Sequence, residues 1–113
     1  MTSSHVVVIG AGIGGMAAAL RLRARGYDVT VLERGDQPGG RARSFEHEGV
    51  RHDAGPTVIT APFLFDELFA LFGRRRADYV EFRELNPWYR FHFQDGENFD
   101  YGGTLDQTLD EIK

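Results

Sequence analysis

The sequence contains no cysteine, which excludes disulfide bridges, thiolate catalysis and cysteine-ligated zinc. It also lacks any apolar run approaching the ~20 residues that a transmembrane helix needs. The first residues, Met1 to His5, lack the basic segment of a signal peptide, so a cytoplasmic location is expected. With 113 residues, 42% hydrophobic and 27% charged, the chain is long enough for one small globular domain.

Acidic residues outnumber basic ones by 17 to 13, and no histidine is placed like a metal ligand. The formal net charge is −4 and the isoelectric point is near 5.5, which disfavours a nucleic-acid partner. His47 and His52 are too irregularly spaced for a metal-binding pair on a helix, and His92 alternates with phenylalanines. The sequence therefore predicts no metal site.

The N-terminal part of the chain has the pattern of a βαβ unit. Val6 to Ile9 is an apolar run, typical of a central parallel strand that is covered on both faces. A glycine-rich turn follows, and a helix is predicted from about Gly14 to Arg25. A second strand is predicted over Val29–Glu33, which makes the fold class α/β. The helix is expected to pack on the sheet through Ala17, Leu20 and Ala24.

Shorter, mixed elements follow this unit. A hairpin is predicted over Ala42–His52 with Glu48-Gly49 at its turn, and an amphipathic helix over Pro62–Phe72, closed by Gly73. Later predictions are strands at Tyr79–Phe82, Tyr89–Phe93 and Asn98–Tyr101, with a turn at Asp95-Gly96, and a helix that begins at Thr104.

Gly10, Gly12 and Gly15 form the pattern G-x-G-x-x-G between the predicted strand and helix. The first glycine permits a tight turn, the second lets a pyrophosphate approach the backbone, and the third lets helix and strand pack closely. An anion bound there meets free N–H groups at the positive end of the helix dipole, so Ile13 and Gly14 join the candidate cofactor-binding residues. Taken alone, the pattern fits a plain glycine-rich turn equally well.

Glu33 makes dinucleotide binding the favoured interpretation. It ends the predicted second strand about 20 positions beyond the glycines, where an acid accepts hydrogen bonds from ribose hydroxyls. An acid there disfavours NADP, because the 2′-phosphate would be repelled. Arg34, beside it, is included in the candidate site. The alternative for Glu33 is a solvated glutamate at a strand end.

Gly39, Gly40 and Arg41 favour FAD over NAD. A plain NAD fold does not require a second glycine pair just past the ribose acid. A flavin site needs a second backbone segment close to the pyrophosphate, and an arginine can neutralise the phosphate charge. The alternative is a Pro-Gly-Gly surface loop that happens to precede an arginine.

Motifs between Val7 and Ala42 (V-V-I-G-A-G-I-G-G, V-T-V-L-E-R and P-G-G-R-A) resemble the flavin amine oxidase and carotenoid desaturase superfamily. Within it, D-A-G-P-T-V-I-T, E-L-F-A-L-F-G and P-W-Y-R are similar to segments of bacterial phytoene desaturases. The likeness runs from about His5 to the end and is most specific up to about Thr60. The sequence departs from the family pattern at Met16, where leucine is commoner, and at Gly102-Gly103, which replaces a more polar turn. Both positions lie outside the predicted cofactor contacts.

The resemblance implies an FAD-binding Rossmann-type fold and an enzyme that takes hydrogen from an apolar polyene such as phytoene. It places Gly55, Pro56, Thr57 and Val58 near the flavin ring, whereas the residues alone suggest only a structural turn. Residues 1–60 would be the N-terminal part of the FAD-binding domain, and residues 61–113 the start of a mixed α+β substrate-domain insertion. No catalytic acid or base is identified within these residues.

Other functions on the same scaffold stay open at this point: a flavin amine oxidase, a carotenoid isomerase, or a non-catalytic module that binds FAD or NAD. Any membrane contact is expected from regions outside these residues. Residues 1–113 alone are expected neither to fold stably nor to catalyse. Sheet packing is favoured over a polyene-binding wall for the aromatic residues Trp88, Tyr89, Phe91, Phe93, Phe99 and Tyr101.

Overall fold

The structure is a computed structural model that describes residues 4–55 and 58–112. Backbone packing divides the chain into two compact units, Met1–Glu81 and Phe82–Lys113. The elements are, in chain order, β1 (His5–Ile9), α1 (Ile13–Ala24), β2 (Asp28–Leu32), a 3-10 turn (Gly40–Ala42), β3 (Ser44–His47), β4 (Val50–Asp53), α2 (Pro62–Ala70), a second 3-10 turn (Arg76–Asp78), β5 (Tyr89–His92), β6 (Asn98–Tyr101) and α3 (Leu105–Glu111).

The first unit opens with two parallel strands joined by a helix. β1 and β2 pair in parallel, with Val7 opposite Thr30 and Ile9 opposite Leu32. Parallel neighbours need a crossover connection, which α1 provides. The return turn passes through Gly26 at a φ of 89°, a conformation that strains residues with a side chain. The α/β class and the βαβ unit predicted from the sequence are confirmed.

α1 packs on the sheet through a face different from the predicted one. Gly15 lies against the carbonyl group of Gly10, and Ala19, one turn later, is the buried residue of the helix. Leu20 and Ala24, which were predicted to face the sheet, are exposed. The prediction was wrong because the close contact at Gly15 sets the rotation of the helix, and residues four positions apart share a face.

β3 and β4 form the predicted antiparallel hairpin. Glu48 and Gly49 make the turn with φ values of 51° and 77°. Two consecutive positive φ angles match the twist of a two-residue hairpin. Phe45 and His52 lie opposite each other, and their rings stack with centroids 5.3 Å apart.

α2 begins with Pro62 in its first turn, a position where the missing N–H of proline has no cost. Glu67 on this helix accepts a hydrogen bond from Arg21 of α1 at 2.8 Å. Asp66 accepts one from Arg76 at 2.8 Å, which ties the segment after the helix back to it.

The strand predicted over Tyr79–Phe82 is absent. The N–H groups of Tyr79 and Val80 both donate to the carbonyl oxygen of Arg76 at 2.9 Å. These donors are therefore used within a local turn instead of a strand ladder. The alternation of apolar and polar residues predicts a strand here. The prediction is wrong because alternation does not show whether a neighbouring strand is available to pair with the segment.

The second unit contains a hairpin and a short helix. β5 and β6 are antiparallel and place Tyr89 opposite Tyr101 and Phe91 opposite Phe99. On the other face, Arg90 donates two hydrogen bonds of 2.6 Å to the Asp100 carboxylate.

Thr104, at which a helix was predicted to begin, is the N-cap residue of α3. The hydroxyl of Thr104 accepts from the Gln107 N–H at 3.3 Å, and the Gln107 side chain accepts from the Thr104 N–H at 2.8 Å. This reciprocal arrangement is a capping box.

Burial is low throughout the described residues. Ala11 and Ala19 are their only buried apolar residues. On the sheet, Ile9 is 87% exposed and Leu32 is 53% exposed. Among residues 4–55 and 58–112, no helix has the length and apolar character to cross a membrane.

Candidate functional site

The glycine-rich loop leaves β1 and enters α1 at the carboxyl end of the parallel pair. Gly10 adopts a φ of 97°, and its N–H donates to the carbonyl oxygen of Leu32 at 2.7 Å. The loop is thereby fixed to the end of β2. Gly12 is the N-cap residue, and no side chain caps the helix. The first N–H groups of α1 are therefore left without a side-chain acceptor and can bind an anion.

Gly15 has a steric role in this loop. An ideal Cβ placed on Gly15 would overlap the carbonyl oxygen of Gly10. Ideal Cβ atoms on Gly10 and Gly14, by contrast, meet no atom within 4 Å. The third glycine of the motif thus allows the helix to pack, as the sequence predicted, and the backbone beside Gly10 and Gly14 is open.

Glu33 lies one residue beyond β2 and contacts the glycine-rich loop. One carboxylate oxygen accepts from the Ala11 N–H at 2.7 Å, and the other accepts from the Gly35 N–H at 2.8 Å. The Gly35 and Ala11 hydrogen bonds, followed by the N–H and charge of Arg34, hold the pKa of Glu33 below its ordinary value of 4.5. The carboxylate is therefore ionised at neutral pH, and each oxygen keeps acceptor capacity for a further donor.

The turn after β2 returns to the glycine-rich loop. The Gly39 N–H donates to the carbonyl oxygen of Ala11 at 2.8 Å, and Gly39 forms a parallel bridge with Gly12. Gly39 and Gly40 have φ values of 118° and 57°. An ideal Cβ on Gly40 would lie 3.1 Å from the Gly12 Cα, a tight contact, and the positive φ also disfavours a side chain at this position. Arg41 follows with an exposed side chain.

The loop after β4 contacts this turn from the other side. The Ala54 N–H donates to the carbonyl oxygen of Arg43 at 2.9 Å. An ideal Cβ on Gly55 would overlap the carbonyl oxygen of Arg41. Pro56 and Thr57 lie outside the described residues, and Val58 is half-buried. The placement of residues 55–58 beside a flavin ring stays a prediction.

The structure therefore brings four separate stretches of candidate residues together. The Glu33 carboxylate binds the glycine-rich loop, and backbone contacts link that loop to the Gly39–Arg41 turn and the turn to Gly55. Sequence reasoning missed Ala11, whose N–H and carbonyl groups join the loop to Glu33 and Gly39, and Gly35, which binds the second Glu33 oxygen. Ala11 could have been found as the small residue enclosed between the first two glycines.

The arrangement combines two chemical properties. Uncapped N–H groups and a nearby arginine suit a phosphate, and an ionised carboxylate with free acceptor capacity suits the hydroxyls of a ribose. A dinucleotide carries both groups in one molecule.

Comparisons with known proteins agree with this geometry. The chain is 50% identical over 101 residues to the lycopene-forming phytoene desaturase of Pantoea ananas, covering 89% of this chain and 20% of that protein. It is 48% identical over 111 residues to the phytoene dehydrogenase of Streptomyces griseus, covering 96% and 22%, respectively. A carotenoid 3,4-desaturase of Haloarcula japonica is 41% identical over all 113 residues of this chain, and the match covers 23% of the length of that protein.

The chain thus spans about a fifth of the length of these relatives. The family model for the NAD(P)-binding Rossmann-like domain matches residues 8–74, which is more than half of the chain and includes the glycine-rich loop, Glu33 and the Gly39–Arg41 turn. The chain belongs to the family of NAD(P)-binding Rossmann-like domains, in a form that is similar to the N-terminal part of phytoene and carotenoid desaturases.

Proposed function

We propose that this chain is the FAD-binding N-terminal part of an oxidoreductase that desaturates an apolar polyene of the phytoene type. The contact of the Gly39–Gly40 turn with Gly12 carries the choice of FAD. It brings a second backbone segment close to the N-terminus of α1, and a plain NAD fold does not require this second segment. The names of the relatives support the choice of substrate.

The residues present fit the ADP half of FAD. The N–H groups at the start of α1 would hold the pyrophosphate, and Gly12 and Gly40 would allow it to approach the backbone. The Arg41 guanidinium would neutralise its charge. The ionised Glu33 would accept hydrogen bonds from the ribose hydroxyls and disfavour a 2′-phosphate.

When bound, FAD supplies the two-electron acceptor for removal of hydrogen from the substrate. The contribution of this chain is to bind and orient the cofactor. No residue of the chain is assigned as a proton donor or acceptor in the reaction.

The desaturase activity is tested with the purified full-length protein. Phytoene in phospholipid vesicles, supplied with FAD and an electron acceptor, should yield conjugated products with new absorbance in the visible region. Release of hydrogen peroxide from a polyamine panel, with phytoene unchanged, would support an amine oxidase on the same scaffold and overturn the substrate assignment. Binding of FAD without turnover of either substrate class would favour a non-catalytic module.

A further inference from the structure

The loop after β4 crosses the turn that carries Arg41 at a distance that only glycine permits. An ideal Cβ on Gly55 would overlap the Arg41 carbonyl oxygen and would also lie within 4 Å of the Ala42 nitrogen. These are backbone atoms, which cannot swing aside as the end of a long side chain can. Any side chain at position 55 must therefore displace the peptide group of Arg41, the loop itself, or both.

The Arg41 turn is also held on its other side. Gly39 donates to Ala11 at 2.8 Å, and Gly40 lies against Gly12. Ala54 adds a hydrogen bond of 2.9 Å to Arg43 on the side of the β4 loop. The turn therefore contacts both the glycine-rich loop and the loop after β4. A displacement of the loop after β4 would move the peptide group of Arg41.

The side chain of Arg41 has no such constraint from the described residues. It is exposed, and within residues 4–55 and 58–112 no ion pair or hydrogen bond joins its guanidinium group to another side chain. The position of the Arg41 backbone therefore sets the point from which the guanidinium group can reach a ligand.

We propose that Gly55 is a positioning residue for the dinucleotide site and acts through the backbone of Arg41. This role needs no contact between Gly55 and the flavin, whereas the family resemblance implies that Gly55 lies near the flavin ring. The inference rests on the proposed function, because it assigns Arg41 to the pyrophosphate. Gly55→Ala would move the Arg41 guanidinium away from the phosphate and weaken a charge-assisted hydrogen bond.

The test is a double-mutant cycle in the full-length apoprotein, with FAD and ADP as separate ligands in calorimetric titrations. ADP carries the pyrophosphate and the ribose but no flavin. We expect Gly55→Ala to weaken binding of both ligands by about tenfold to a hundredfold, the range of a hydrogen bond to a charged group. In an Arg41→Ala background, Gly55→Ala should cause little further loss, because both changes remove the same interaction.

A matched control is available at the opposite end of the same hairpin. Gly49 has a φ of 77° and open space around its ideal Cβ, so Gly49→Asn should leave the binding of both ligands unchanged. Loss of FAD affinity with unchanged ADP affinity in Gly55→Ala would indicate a flavin contact and overturn the proposal. Fully additive losses in the cycle would also overturn it, because they would indicate a general structural effect.

Hydrogen exchange of the unmodified protein provides a second test if Gly55→Ala does not fold. ADP should slow exchange of the amides of residues 39–43 and of Ala54 together, because Ala54 is hydrogen-bonded to that turn. Protection confined to residues 10–15 would contradict the proposal. Failure of the unmodified protein to bind either FAD or ADP would instead contradict the proposed function.

Discussion

At the scale of single residues, Glu33 holds the glycine-rich loop and is available to a ligand at the same time. Its two oxygens accept from different backbone segments, at Ala11 and at Gly35. Neither hydrogen bond uses all the acceptor capacity of its oxygen. The carboxylate therefore fixes the loop before a ribose arrives, which lowers the cost of ordering the site on binding.

We expect Glu33→Gln to lower both dinucleotide affinity and stability at neutral pH, because an amide has one acceptor oxygen where the carboxylate has two. The pKa of Glu33 is lower in the folded protein than its ordinary value of 4.5. Its stabilising effect is thus fully present above that value and is lost as pH falls through the folded pKa.

The measurement is the difference in thermal midpoint between the unmodified full-length protein and its Glu33→Gln variant from about pH 7 to about pH 3. This difference should shrink on acidification. Glu84→Gln, an exposed position in the second unit, serves as the control. A difference between the two proteins that stays constant with pH would show that the charge of Glu33 is not responsible.

Gly12→Val should abolish retention of the dinucleotide. A Cβ at this position points toward the Cα of Gly40, 4.0 Å away, and the two branches of valine would fill the remaining approach to the backbone. Ala18→Val places the same branched side chain on an exposed position of α1 and should retain the cofactor. The ratio of flavin to protein absorbance after gel filtration reports the result. A Gly12→Val protein as yellow as the unmodified protein would contradict the phosphate-binding role of this loop.

At the scale of elements, α3 is held by its N-terminal cap. The helix is short, and isolated helices of this length are unstable in water. Thr104→Ala removes the hydroxyl that accepts from Gln107 and should cost about 1 kcal/mol of local stability. Amide exchange at residues 107 and 108 should therefore become faster, whereas Thr104→Ser should preserve the unmodified rates. Equal exchange in Thr104→Ala and the unmodified protein would mean that packing, not the cap, holds the helix.

The elements that could be predicted from the sequence are those whose signals are local. The glycine motif between two apolar runs, the Glu48-Gly49 turn and the Thr104 cap each depend on neighbouring residues only. The face of α1 and the absent strand over Tyr79–Phe82 depend on contacts with distant backbone. A hydrophobic pattern gives no information about contacts between distant segments, and both predictions were wrong for that reason.

The same distinction applies to the candidate site. Glu33 and the first glycines follow a spacing that is fixed by the βαβ geometry, and they could be predicted from the residues. The contact between Gly55 and Arg41 joins segments separated by a whole hairpin. The role of Ala11 comes from its backbone groups, so the signal for it in the sequence is its position between the first two glycines.

At the scale of the whole molecule, the open sheet is the dominant feature. Buried parallel strands are normally covered on both faces, yet Ile9 and Leu32 are largely exposed on β1 and β2. The described residues bury only two small apolar side chains. Burial of this extent does not offset the entropy of ordering the chain.

Residues 1–113 expressed alone should consequently show no cooperative thermal transition. Circular dichroism and calorimetry, each with and without FAD, test this expectation, and the full-length protein is the reference. A sharp transition that FAD shifts to higher temperature would show that these residues form a self-sufficient binding module.

The central claim is that the assembled glycine-rich loop, Glu33 and the Gly39–Arg41 turn bind FAD. The most direct test is titration of the full-length apoprotein with FAD, NAD and NADP under identical conditions, followed by calorimetry. FAD should bind most tightly, NAD more weakly because it shares the ADP half of FAD but lacks the flavin, and NADP most weakly because its 2′-phosphate meets the Glu33 carboxylate. Tighter binding of NAD or NADP than of FAD would contradict the account.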